Sequence, residues 1–383
     1  MRVVIAPDKF KGSLDARGVA AALAEGLRRG MAELDVDELA AADGGEGTVA
    51  AALANGWEPV TTPVAGPLGA PVEATFALDR PGGRALVEMA AASGLALLPR
   101  DGSGAPRLHA RTATSRGTGD LVRAALDEGA REIVLAVGGS ACTDGGAGML
   151  QALGARLTDA KSAELAGGGA ALASLARADL DGLDPRLAAT TITLAADVDN
   201  PLLGRRGAAA VFGPQKGARP DDVRELDAAL TRWRDALGEA LGPSAVDAAD
   251  LPGAGAAGGV GYASLAALGA TMRPGAEVVV ELIGLSDLVI GADLVVTGEG
   301  SLDEQSLGGK TPTGVARVAK AHGIPVVVVA GRTTLDPDEV ERAGFAAAYV
   351  LTDVEPDVER CIADAAPLLA RLGERIAAEH LRR

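Results

Sequence analysis

ADLVVTGEGSLDEQSLGGKTPTGVARVAKAHGIPVVVVAG, residues 292–331, decides how the chain is read. Its apolar run 294–297 is short and rich in β-branched residues, the pattern of a buried strand. A turn follows that carries Gly298, Glu299, Gly300 and Asp303, and then Gly308, Gly309, Lys310 and Thr311. Pro312 stands where the first turn of a helix tolerates it. A helix over 313–321 ends near Gly323, and a second strand over 325–330 completes a βαβ unit with parallel strands. Ligands of open parallel sheets bind beyond the carboxyl ends of the strands. Glu299, Asp303 and Lys310 fall on that edge. Gly309-Lys310-Thr311 is not a P-loop, because the motif needs glycine at 304 and the chain has Glu304, a carboxylate that would repel phosphate. The plainer alternative for this loop is a glycine-rich linker with a solvated lysine.

Composition sets the outer bounds. The 383 residues suggest two domains. Hydrophobic residues make up 48% of the chain, yet aromatics only 2%, so the expected cores are Ala/Val/Leu between closely packed helices. A net charge of −16 argues against nucleic-acid or anionic-membrane partners. It also requires that an anionic substrate be captured by locally placed cations. Two cysteines fit a reducing compartment, and three scattered histidines offer no zinc site. The chain begins directly with a strand, and no apolar run reaches ~18 residues, so neither signal peptide nor membrane span is expected and the location expected is cytoplasmic.

From the N-terminus, a strand at 3–6 runs into a loop with Asp8, Lys9, Lys11 and Ser13. A helix over 15–29 and a strand at 36–41 follow, and the strand ends in Asp43-Gly44-Gly45-Glu46-Gly47-Thr48. These loops sit at strand-to-helix junctions, the same edge as the 298–311 loop. Turn and cap roles account for their glycines and Ser13, but leave Asp8, Lys9, Lys11 and Asp43 without a task. From Gly56 the texture changes to short alternating runs at 59–64, 72–78 and 84–88, separated by Gly-Pro and Pro-Gly turns, which indicates an antiparallel or mixed sheet.

A hydroxyl-rich turn at 112–119, with Thr114, precedes a helix over 120–128. The strand 133–137 then feeds a loop with Gly138, Gly139, Ser140, Asp144, Gly145 and Gly146 ahead of a helix. That loop is a candidate phosphate cradle, since free N–H groups and the helix dipole both favour an anion. The alternative is a sharp turn capped by serine or aspartate. The strand 190–196 ends in Asp197 and Asp199, which project to one side if the extended geometry continues. Such a pair suits a metal or a general base, or is simply a solvated pair of loop acids. A long amphipathic helix is expected over 220–241. Gly253-Ala254-Gly255-Ala256-Ala257-Gly258 spells GxGxxG but follows no strand, so it is not a dinucleotide fingerprint. The C-terminal part gives a strand at 346–351 and a helix over 358–380.

Taken together, the loops resemble one family. APDKFKGSL (6–14), ADGGEGT (42–48), EMAAASGL (88–95), GGSACTDGGAGMLQALG (138–154), DVDNPLLG (197–204), AVFGPQKGA (210–218), GAAGGVGYA (255–263), TGEGSLDEQ and GGKTPTGVAR (297–317) are similar to the bacterial-type (class I) glycerate kinases. The resemblance runs in order from residue 1 to about 350. It implies ATP-dependent phosphorylation of D-glycerate, generally to 2-phosphoglycerate, with Mg2+, in a cleft between two domains. It also implies a fold: a flavodoxin-like α/β domain from residues 1–60 and 288–383, with a second α/β domain, 61–287, inserted. The chain departs from the family pattern at three places. Ser301 stands where arginine commonly follows the GEG turn, Cys142-Thr143 replaces Thr-Asn, and the usual tyrosine near Ser115-Arg116 is missing.

For a kinase of this kind, Lys9 and Lys310 are the expected catalytic cations, with Asp197 as base or metal ligand. Asp8, Lys11, Ser13, Asp43, Glu46, Thr114, Glu299 and Asp303 are the expected substrate contacts. Gly138, Gly139, Ser140, Asp144, Gly145 and Gly146 would hold the nucleotide, and Asp197 with Asp199 the magnesium. The competing possibilities are a catalytically silent nucleotide- or sugar-acid-binding module, and a kinase that produces 3-phosphoglycerate. A dehydrogenase is set back by the misplaced GxGxxG.

Overall fold

The structure is a computed structural model that describes residues 1–381. It divides into two compact units, Met1–Gly56 with Pro274–Arg383, and Trp57–Arg273. The second seam falls ahead of the helix Gly275–Leu282, which the sequence reading had placed in the insert. Val279 and Val280 of that helix pack into the core of the first unit, and Gly275 lies against the backbone of Asp43 and Gly44, which holds the helix there.

The first unit is built on five parallel strands in the order Ala347–Val350, Val326–Thr333, Leu294–Leu302, Arg2–Ile5, Asp35–Glu38. Numbered along the chain, this is the flavodoxin-like order 2-1-3-4-5. The strands Val3-Val4-Ile5, Val295-Val296 and 326–330 are apolar on consecutive residues because helices cover both faces. On one face Val3, Ile5, Val296, Val327 and Val329 pack with Leu23 and Leu27 of the helix Ala16–Gly30 and with Leu369 and Ile376 of the helix Ala365–His380. Those two helices cross closely. A Cβ at Gly26 would lie 1.9 Å from the Ala370 carbonyl oxygen, so glycine is required at the contact. On the other face Val4, Val295 and Val328 pack with Val279 and with Val315 of the helix Thr311–Ala321. The C-terminal helix expected over 358–380 is two helices, Val358–Ala363 and Ala365–His380. The ring of Pro367 would clash with the carbonyl of Ala363, and the helix breaks there.

The second unit has a six-stranded mixed sheet in the order Thr271–Arg273, Thr191–Ala195, Glu132–Ala136, Arg84–Glu88, Pro71–Asp79, Glu58–Ala65. The first four strands are mutually parallel and the last two antiparallel. The helix Pro220–Leu241 buries Leu226, Leu230, Trp233 and Leu237, the face expected from their spacing. The GxGxxG segment follows a 3-10 turn and opens the helix Ala256–Ala267 with Ala257, Gly258 and Gly259 in left-handed backbone. Among the described residues no helix is long and apolar enough to cross a membrane.

Candidate active site

The chain order of the first sheet reverses between the strands Arg2–Ile5 and Leu294–Leu302, and a crevice opens beyond their carboxyl ends at such a point. Backbone pairing continues past the first strand, with Ala6 N–H donating to Val296 O and Asp8 N–H to Gly298 O at 2.8 Å each. Alternate residues therefore keep to one face. Val4 and Ala6 lead to Asp8, Val295 and Thr297 lead to Glu299 and Ser301, and Val328 and Ala330 lead to Arg332. A pocket of about 530 Å³ lies here, lined among others by Asp8, Lys9, Lys11, Asp43, Glu299 and Asp303. Lys310, Ser13, Ser301 and Arg332 line it too.

Two of its carboxyls are buried. Asp8 is 9% exposed and Glu299 8%. Burial, reinforced by the charge of Asp43, pushes Asp8 up to about 6. Burial pushes Glu299 up to about 7, against the opposing pull of the Ser306 hydroxyl and Lys310. Asp8 accepts the Thr311 hydroxyl at 3.0 Å and the Lys9 N–H at 2.6 Å. Oε1 of Glu299 has no hydrogen-bond partner, one of two such buried side-chain atoms among the described residues. An orphaned buried oxygen is costly, on the order of 1–3 kcal/mol, so one that lines a pocket makes Glu299 a candidate to meet a ligand. Lys9 sends its ammonium to Glu46 O, while Lys310 stands at the residue before the helix Thr311–Ala321, its charge felt by Glu299. Ser13 donates to Ile362 O at 2.6 Å, and the Glu46 side chain is exposed and outside the pocket lining.

The second unit arranges its candidates differently. Asp144 is 1% exposed and accepts from the Thr114 hydroxyl (3.2 Å), from Ser115 N–H (2.8 Å) and hydroxyl (2.9 Å), and from Gly146 N–H (3.2 Å) and Gly148 N–H (3.3 Å). Gly145 N–H donates to Gly258 O at 2.9 Å, so this half of the loop offers few free N–H groups. Gly145 and Gly146 hold positive φ against Trp233 and Ala263, where a Cβ would stand 2.5 Å from either side chain. Thr143 Oγ1 is the other buried atom without a partner. Gly138 is half-buried and Gly139 exposed, next to the buried Ser140. The Ser140 hydroxyl receives the ammonium of Lys216 at 2.7 Å, and the Cys142 carbonyl receives it at 2.5 Å. Lys216 is 1% exposed, and burial pushes its pKa down.

Asp197 and Asp199 lie past the end of the strand Thr191–Ala195, both exposed, and Asp199 pairs with Arg206 at 3.1 Å. Among the described residues no group of three His, Cys, Asp or Glu side chains is placed to hold a metal. Asp197 and Asp199 therefore lack a third protein ligand of these types and do not by themselves form a closed magnesium site.

Sequence reasoning missed Arg332, Thr311 as the partner of Asp8, and Lys216. Arg332 ends a strand on the edge that the βαβ reading singled out. Lys216 stands in the string AVFGPQKGA that carries the family resemblance, but nothing local says that a lysine in a glycine-bordered turn is buried.

The chain matches the Glycerate kinase family over residues 3–381. It is 43% identical over 379 residues to "Glycerate kinase" of Bacillus subtilis (strain 168), spanning 99% of this chain and 97% of that one. It is 45% identical over 362 residues to "Glycerate 2-kinase" of Escherichia coli (strain K12), spanning 92% and 91%. A crystal structure of a Salmonella typhimurium LT2 protein described as a glycerate kinase 2 superposes with a TM-score of 0.86 at 43% identity, over 99% of this chain and 97% of that one. The chain belongs to the glycerate kinase family.

Proposed function

We propose that the protein transfers the γ-phosphoryl group of ATP to the 2-hydroxyl of D-glycerate, giving 2-phosphoglycerate and ADP. The observation that carries the reading is the buried, pocket-facing Glu299, with one oxygen unpartnered, beside Asp8 at the reversal point of the first sheet. Phosphoryl transfer to an unactivated hydroxyl asks for positioning, cations around the transferring group and a base for the hydroxyl proton. Glu299 is the base in this reading. A carboxyl that titrates near neutrality both releases and takes a proton readily at working pH. The task of general base thus moves from Asp197, which is exposed, to Glu299. Asp8 and Asp43 orient the glycerate hydroxyls, and Asp303 lines the same pocket. Lys310 and Lys9 stabilise the transferring phosphoryl group, with Lys11 as a further cation. Ser13 and Thr311 hold the walls of the site.

The nucleotide is assigned to the second unit. Gly138, Gly139 and Ser140 contact its phosphates, and Lys216 holds that turn in shape. Asp144 and Thr114 give the loop its form from beneath and do not touch the ligand. ATP brings magnesium with it, and we place the reaction in the cytoplasm. The 2-hydroxyl is carried over from the name of the Escherichia coli relative.

Phosphorus NMR of the products from ATP with D-glycerate, and separately with L-glycerate, tests this reading. A 2-phosphoglycerate resonance from the D-isomer alone is the expected result. A 3-phosphoglycerate resonance would move the acceptor to the 3-hydroxyl, and saturable binding of both ligands without ADP release would make the protein a silent binding module.

A further inference from the structure

Four carboxylates, Asp8, Asp43, Glu299 and Asp303, line the pocket of the first unit, in a chain whose net charge is −16. A hydroxy acid entering there is repelled unless a fixed cation receives its carboxylate. The ammonium of Lys9 is engaged with Glu46 O, and Lys310 sits in the field of Glu299. Lys11 is exposed on a loop, whereas Arg332, also exposed, is carried on a strand. It stands on the strand Val326–Thr333 in register with Ser301, its Nε donates to Ser301 Oγ at 3.3 Å, and among the described residues it forms no ion pair. Its two terminal nitrogens make no hydrogen bond to the described residues, while its backbone is held in the parallel ladder to the strand Leu294–Leu302.

We infer that Arg332, steered by Ser301, is the residue that clamps the carboxylate of the hydroxy-acid substrate. A guanidinium presents two parallel N–H groups to a carboxylate, a geometry that an ammonium cannot offer. Glu299, Ser301 and Arg332 lie on one face at the sheet edge, so a carboxylate held by Arg332 leaves its α-hydroxyl facing the Glu299 side of the pocket. The substrate class that this sets is the α-hydroxy carboxylate, in preference to a neutral polyol. Because Ser301 and Arg332 are register partners, a guanidinium carried on position 301 reaches the same volume.

The assignment rests on the glycerate kinase reading, and the experiment separates the two. The KM values for D-glycerate and for ATP are measured for wild type, Arg332→Ser, Arg332→Lys, and the exchange Ser301→Arg with Arg332→Ser. Arg332→Ser is expected to raise the KM for D-glycerate ~30–100-fold with the KM for ATP within ~2-fold, and Arg332→Lys to recover only part of the loss. The exchange is expected to bring the KM for D-glycerate back to within ~5-fold of wild type. An unchanged KM for D-glycerate in Arg332→Ser, or an equal rise for ATP, overturns the clamp. So does a failure of the exchange to lower the KM of the single variant. Absence of D-glycerate turnover in wild type would instead overturn the kinase reading itself.

Discussion

Two carboxylates that look alike in the sequence, Asp144 and Glu299, have opposite circumstances in the fold. Each comes after an apolar run in a glycine-rich stretch of sequence and each is at least nine-tenths buried, but Asp144 lies in a loop whereas Glu299, expected in a turn, stands within the strand Leu294–Leu302. Among the described residues Asp144 receives five hydrogen bonds from its own unit. Glu299 lines a pocket, keeps one oxygen unpartnered, and titrates near neutrality. A buried carboxylate that the fold satisfies completely is part of the scaffold. One that the fold leaves wanting, at the reversal point of a parallel sheet, is where chemistry is to be sought.

The largest effect is expected from Glu299→Gln. Removing the base should lower kcat by ~10²–10⁴ while the Kd for ATP stays unchanged. A variant with wild-type kcat would erase the distinction between the two carboxylates from one side.

Asp144→Ala attacks it from the other. Five donors would lose their acceptor inside the fold, and thermal or denaturant unfolding should show a loss of about 3 kcal/mol, with kcat per folded enzyme little changed. Full stability with collapsed kcat would make Asp144 a catalytic residue.

The pH dependence of stability gives a smaller effect. The Glu299 carboxyl is raised from 4.5 to about 7, so between those values the folded chain binds more protons than the unfolded chain, and stability falls as pH rises. Glu299→Gln removes that loss. The variant should gain roughly 1–3 kcal/mol on wild type between pH 4.5 and pH 8, followed by denaturant unfolding. A constant difference between the two proteins across this range would contradict the burial argument.

The smallest effect belongs to Asp199→Asn. An exposed pair with Arg206 contributes little, so the melting temperature should move by less than about 1 °C and the magnesium requirement not at all. A several-fold rise in the magnesium needed for half-maximal rate would restore the metal role to Asp197 and Asp199.

Much of this was legible in the sequence. The βαβ reading of residues 292–331 brought Glu299, Asp303 and Lys310 to one edge, because strand period and helix signals are local. The loops at Asp8 and Asp43 were sent to the same edge by the same rule. Satisfaction of a buried group is not local. Asp144 is met by Thr114 and Ser115, some thirty residues earlier, and Asp8 by Thr311, 303 residues later. Nothing in the spacing of DVDN told that Asp199 would turn to Arg206. The break of the C-terminal helix was legible from Pro367, yet its long apolar period reads as one helix.

The pH profile of kcat/KM for D-glycerate, measured in wild type and in Glu299→Gln, tests the central claim most directly. Asp8 and Glu299 sense each other's charge, so apparent pKa values belong to the pair. Wild type should lose activity as pH falls through about 7, as Glu299 takes up its proton. In Glu299→Gln the residual rate should be flat across that interval. If the residual rate keeps the wild-type acid limb, the base lies elsewhere and the first unit's unsatisfied carboxylate is not the centre of the chemistry.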